Sequence, residues 1–265
     1  MLRFFRTIRK NLMEQNKTRT YLLYAVGEIA LVMIGILLAL QVNNWNQERL
    51  DSKTSEEFTN RLLGDMQLER RILGYVDNYL TQVEKNAKAA IEVYEREAER
   101  RILTDSEFLI NLYQASQIYD PNQISATYQE MISSGQIGMI RNEELRNRII
   151  IYYDNDWSKA DIFANESPYR ENVRKEIPSA IQSEIREKCG DQYVKVGESA
   201  EVILPEECDL TFDKDLAAKT VDDILQNSAL RSDLRFHIGN LYAQLQMVRI
   251  YKQNIDGIMA LLEEN

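Results

Sequence analysis

Residues 21–42, YLLYAVGEIALVMIGILLALQV, form an apolar run of 22 residues whose one charged member is Glu28. A helix rises about 1.5 Å per residue, so a run of this length crosses a hydrocarbon layer of about 30 Å. Two other readings are weighed against a membrane span. A core helix of a soluble domain carries a polar stripe, and here only Glu28 and Gln41 interrupt the apolar surface. A signal peptide ends on small residues at its cleavage site, whereas this run leads into Gln41-Val42-Asn43-Asn44-Trp45. An uncleaved anchor is therefore expected.

Charge orients the anchor. Arg3, Arg6, Arg9, Lys10, Lys17 and Arg19 stand before the span against the single Glu14, although the whole chain has a net charge of -10. The positive-inside tendency places that tail in the cytoplasm and everything after Trp45 on the far side, with Tyr21, Tyr24 and Trp45 at the interfaces. The expected organisation is a basic tail over 1–20, a span over 21–42, a juxtamembrane connector over 43–57 and a helical domain over 58–265. A sequence pI near 4.9 argues against a nucleic-acid partner.

Only ten glycines and four prolines punctuate 265 residues, so long helices can run without interruption. Phe58, Leu62, Met66, Leu73, Val76, Leu80, Val83, Ala87, Ala90 and Tyr94 recur mostly at steps of three and four, which keeps one helix face apolar. Glu69, Arg70, Lys85 and Lys88 are assigned to the solvated side, and Thr54 with Glu57 reads as a capping box at the start. A second box, Thr104 with Glu107, opens a helix expected to reach Tyr119 before Pro121. Residues 125–154 read as helix, a stop at Gly135, a tight link whose Ile137, Met139 and Ile140 turn inward, and a helix capped by Asn142. Pro168 and Pro178 end or kink the helices that meet them. Within 190–212, Val194 and Val196 alternate against Val202 and Leu204 as a short hairpin. Two helices close the chain, the last over 228–262 and antiparallel to the Phe58 helix. The fold class is all-α, a helical bundle behind one transmembrane helix.

Cys189 and Cys208 lie 19 residues apart around Gly190, Gly197 and Pro205, which suits a disulfide on an oxidising side of the membrane. The other reading is two separate buried thiols.

The opening LVMIGILLALQVNNWNQERL and the preceding KNLMEQNKTRTYLLYAVGEIA resemble, over residues 2–49, an uncharacterised family of single-span membrane proteins from Gram-negative bacteria. The resemblance rests on Phe4-Phe5-Arg6, residues 21–25, Gly27-Glu28-Ile29, Ile34-Gly35-Ile36 and Gln41 to Asn46. TYQEMISSGQIGMIRNEELRNRIIIYY, at 127–153, is similar to a second pattern in the same family. The resemblance implies a bacterial inner-membrane anchor with a cytoplasmic N-terminus and a periplasmic domain, and it implies no activity.

Glu28 is the residue singled out for function, because a carboxylate inside a span is costly unless it is neutralised, paired or faces a protein-lined cavity. One reading lets it snorkel toward the basic tail or stay protonated. The other places Glu28, Gly35 and Val42 on one seam, with Gly27, Gly35 and Ala39 permitting close helix approach, so that several copies enclose it. Gln41, Asn43 and Asn44 are candidates for interhelical amide bonds or for ordinary interfacial polar groups. His237 reads as a structural histidine. No phosphate loop, nucleophile elbow, HExxH or EF-hand is present, and the acids Glu206, Glu207, Asp209, Asp213, Asp215, Asp222 and Asp223 lack the spacing of a calcium loop. No catalytic residue, metal or cofactor is expected.

Three functions compete. The first is a non-enzymatic, self-associating anchor that presents its bundle to another membrane or periplasmic protein or to an envelope polymer. The second is a homo-oligomeric ion pore or ion-coupled subunit using Glu28. The third, a tethered hydrolase, needs a cleft of convergent carboxylates.

Overall fold

The computed structural model describes residues 18–95, 103–164, 167–196 and 199–264. The tail that carries Phe4, Phe5 and Arg6 lies outside the described residues. The chain divides into two compact units, Met1–Glu57 and Phe58–Asn265.

The first unit is the N-terminal part of one helix, α1, which spans Thr18–Glu95. Its apolar side chains are exposed, Leu23 to 69% and Leu31 to 74%, and the span it contains has none of its residues buried within the chain. Residues 43–57, expected as a connector, are helical too, and Thr54 with Glu57 starts nothing. A capping box acts where backbone N–H groups lack a carbonyl one turn earlier. Between Gly35 and Gly64 there is neither glycine nor proline to end the preceding turns, so those N–H groups are already engaged.

In the second unit the apolar stripe of α1 is buried as the spacing predicts. Phe58, Leu62, Met66, Leu73, Val76, Leu80, Val83, Ala87 and Ala90 are all under 9% exposed and Tyr94 is half-buried. Glu69 departs from expectation: it belongs to that stripe and is 0% exposed.

Helix α2, Asp105–Gln114, begins with the expected box, since Thr104 Oγ1 accepts from the Glu107 N–H at 3.2 Å and the Glu107 carboxylate accepts from the Thr104 N–H at 2.7 Å. Thr104→Ala removes one half of that reciprocal pair and is expected to cost about 1 kcal/mol in urea unfolding. The helix stops five residues short of Tyr119. Its last carbonyls are taken by the Ala115, Ser116 and Gln117 N–H groups and by the Tyr169 hydroxyl, which donates to Leu112 O at 2.8 Å. The carbonyls just past its end find tertiary partners instead of another turn: Ser116 O accepts from Arg170 Nη1 at 2.5 Å and Ala115 O lies 2.8 Å from His237 Nε2.

Helix α3, Ala126–Ser133, ends at Gly135, whose φ of 71° is the left-handed cap conformation that glycine adopts without penalty. A 3-10 turn, Gln136–Met139, leads to α4, Glu143–Asp154, where Asn142 Oδ1 accepts from the Leu145 N–H at 3.1 Å. Ile140 is buried and Ile137 packs against the core, as the inward-turning link requires, while Met139 stays only half-buried. A second 3-10 turn, Trp157–Lys159, and a four-residue helix α5, Asp161–Ala164, follow.

Pro178 ends a helix as expected, since the one before it stops at Glu176 with Ile177 extended; neither proline kinks a helix, and each opens the one that follows. Pro168 is the first residue of α6, Pro168–Glu176, and Pro178 caps α7, Ser179–Cys189, because proline's missing N–H is spare at a helix start. Strands β1, Gln192–Val196, and β2, Ser199–Ile203, form the expected hairpin, antiparallel, with Gln192 opposite Ile203 and Val194 opposite Glu201. Helices α8, Lys214–Gln226, and α9, Ser228–Glu263, close the chain.

α9 runs antiparallel to α1, as three ion pairs show: Arg70 with Asp256, Asp77 with Arg249 at 3.2 Å and Glu95 with Arg235 at 3.2 Å. Leu230, Leu234, Leu241, Leu245, Val248, Ile255, Ile258 and Leu262 line its buried face. The all-α class therefore holds, with the hairpin as its one sheet among the described residues.

Candidate functional site

Glu28, Gly27, Gly35, Ala39, Gln41, Asn43 and Asn44 all lie on α1 in the first unit and are exposed. Among the described residues, a Cβ placed on Gly27 or Gly35 would meet nothing within 4 Å. The helical period alone brings Glu28, Gly35 and Val42 onto one side, two turns apart at each step.

The second unit holds a centre that the periodic reading missed. Glu69 Oε1 accepts from Trp157 Nε1 at 2.8 Å and from the Tyr152 hydroxyl at 3.1 Å, while Oε2 accepts from the Ile124 N–H at 2.6 Å. One carboxylate thus ties α1 to α4, to the loop before α3 and to the turn after α4. Burial pushes the Glu69 carboxyl above the usual carboxylate range, and the three donors oppose that rise without cancelling it. The signal was present in the spacing: position 69 lies three after Met66 and four before Leu73, so it fills the gap in the apolar stripe.

Tyrosines surround this carboxylate. Tyr152 and Tyr153 meet edge to face, with centroids 5.1 Å apart, and Tyr153 stacks on Tyr128 at 4.5 Å. Tyr128 donates to Asp154 at 2.9 Å, and Asp65 accepts from the Thr127 N–H at 3.1 Å. The phenols of Tyr152 and Tyr153 are held above their ordinary range by burial first and by nearby carboxylates second, so both stay protonated donors.

Cys189 and Cys208 are joined as a disulfide, with Cα atoms 5.6 Å apart, which closes the loop that carries the hairpin. Two further contacts hold the hairpin to the bundle: Tyr79 donates to Asp191 at 2.9 Å and Tyr119 to Glu201 at 2.5 Å.

His237 is buried, stacked on Tyr169 at 5.2 Å between centroids, and burial lowers its pKa. A neutral ring that caps the end of α2 explains it. Among the acids noted in the sequence, Asp213 caps α8 by accepting from the Leu216 N–H at 3.0 Å. Among the described residues no three His, Cys, Asp or Glu side chains converge as metal ligands.

Residues 28–180, more than half of the chain, match a family profile whose members have no assigned function. Comparison with curated proteins and with solved structures finds no match.

Proposed function

The chain belongs to DUF6090, a family of unknown function, and from that premise we propose that it is a non-enzymatic, single-span protein of the bacterial inner membrane that self-associates and presents its helical unit to periplasmic partners. The observation that carries this reading is the exposed apolar stretch of α1. Side chains such as Leu22, Ile29, Leu31 and Leu37 are more than half exposed, and a run of this size in water costs on the order of 25 cal/mol per Å² of apolar surface. A bilayer removes that cost, and the length of the run suits it.

Two features support the orientation. The basic residues precede the span in sequence, and the Cys189–Cys208 disulfide belongs to chains that fold in an oxidising compartment. Self-association is supported by Gly35 and Ala39, which leave one side of the span low enough for a second helix. The centre at Glu69 suits an interaction module, because its donors are satisfied from within the fold.

Alkaline phosphatase fused after residue 265 is expected to be active in cells, with a fluorescent protein at the same point dark. The reverse pattern overturns the orientation. Native mass spectrometry of the full chain and of Glu28→Gln in nanodiscs tests the rest. One defined oligomer in both, with no ion flux in liposomes, is the expected result. Flux in the natural chain that disappears in Glu28→Gln points to the pore, and monomers in both remove self-association.

A further inference from the structure

A cleft of about 640 Å³ opens beside the Glu69 centre, between the start of α3, the end of α4, the turn at Trp157 and α9. Its volume falls within the range of small-molecule sites, about 300–1,000 Å³. Its lining is unusual in what it leaves unmade. The Tyr153 hydroxyl is buried without a hydrogen-bond partner and its side chain is only 5% exposed, while the half-buried Gln123 side chain lies against the Tyr152 hydroxyl. Buried donors are nearly always paired, because leaving one unsatisfied costs about 1–3 kcal/mol.

The remaining lining defines what could pair the Tyr153 hydroxyl. Asp154 is exposed and presents carboxylate oxygens, one of which already accepts from Tyr128. Lys159 contributes little free charge, since it is paired with Asp156 at 2.7 Å. Gln129 adds a second amide, and the Tyr251 ring, fixed by its hydroxyl donating to Asn155 O at 2.8 Å, adds an apolar face. An anion meets the carboxylate of Asp154, and a cation offers no acceptor to Tyr153. A hydroxyl both donates and accepts, so a ring of hydroxyls can donate to Asp154 while accepting from the orphaned Tyr153 hydroxyl. The C–H face of such a ring packs on Tyr251.

We propose that this cleft binds a neutral polyhydroxylated ligand of the saccharide class, with Tyr153 as the deep donor, Asp154 as acceptor and Tyr251 as the stacking face. The Tyr153 hydroxyl is shut off from bulk water, so the ligand turns the half-buried Gln123 side chain aside as it enters. The site lies wholly within the second unit, and its test is independent of membrane orientation and of self-association.

The test is calorimetric titration of the full chain with maltotriose and with chitotriose, in a detergent whose headgroup is not a sugar. Saturable binding of at least one is expected, weakened tenfold or more by Tyr251→Ala and several-fold by Tyr153→Phe. The second variant separates binding from folding, because it deletes an unsatisfied hydroxyl and leaves the fold as stable or more so. The proposal is overturned if neither trisaccharide saturates, if Tyr153→Phe binds as tightly as the natural chain, or if glucose 6-phosphate or spermidine binds in their place.

Discussion

Glu69→Ala is expected to destabilise the second unit by about 3–5 kcal/mol, because each buried donor left without an acceptor costs on the order of 1–3 kcal/mol and three are stranded together. The substitution strands Trp157 Nε1, the Tyr152 hydroxyl and the Ile124 N–H, which all donate to this one carboxylate. Urea unfolding followed by near-ultraviolet circular dichroism measures the loss. A change below 1 kcal/mol would mean that water replaces the carboxylate at little cost. Glu69→Gln keeps an oxygen for Tyr152 and Trp157 but turns an amide N–H toward the Ile124 N–H, so a smaller loss of about 1–3 kcal/mol is expected.

The same pair of proteins gives a pH dependence of known sign. Burial raises the Glu69 pKa in the folded state, so the folded chain holds this proton at a pH where the unfolded chain has released it. Stability therefore falls as pH rises from the ordinary glutamate range toward the raised value, and it is level above that. In Glu69→Gln this component is absent. The difference between the two stability curves should fall across that window, and a flat difference would assign the burial cost elsewhere.

The second large effect is expected from Cys189→Ser with Cys208→Ser. For a loop of 19 residues, chain-entropy arithmetic gives about 3 kcal/mol. Reduction of the natural protein should match the double variant in unfolding. Hydrogen exchange localises the effect: amides of β1 and β2 should exchange faster, while those of α1 and α9 in the second unit keep their protection. Uniform loss of protection would show that the hairpin is integral to the bundle's core. Alkylation without reductant followed by mass measurement provides the chemical check, since a bridged chain takes up no label.

The contrast between what was legible in the sequence and what was not follows from how each element is specified. The apolar stripe of α1, the box at Thr104, the glycine stop at 135, the cap at Asn142, the hairpin and the final helix are local patterns, and the structure reproduces them. Failures occurred where a distant residue decided a local question. α2 ends early where residues far along the chain take over: Tyr169 reaches Leu112 O, and Arg170 and His237 take the carbonyls just past its end. Glu69 was placed in water because charge was weighed above position, although its three donors come from residues 55 to 88 places away. The box at Thr54 carries the right letters, yet no helix begins there. The orphaned Tyr153 hydroxyl of the cleft had no signal at all in the sequence, since an unmade hydrogen bond is visible only in three dimensions.

The three ion pairs between α1 and α9 have a meaning separate from their strength. Each is roughly half exposed on at least one side, and exposed pairs typically contribute about 0–1 kcal/mol. Their spacing acts as a vernier. Arg70 and Asp77 are seven apart, as are Asp256 and Arg249 on the opposing helix, and the charge order reverses between these two rungs while the third, Glu95 with Arg235, keeps the order of the second. Sliding α9 by one turn, about 5.4 Å, separates all of the rungs together, whereas an aliphatic seam of leucines tolerates such a slip far better. The leucines therefore hold the two helices against each other, and the matched charges select the one alignment in which Tyr251 stands beside the end of α4.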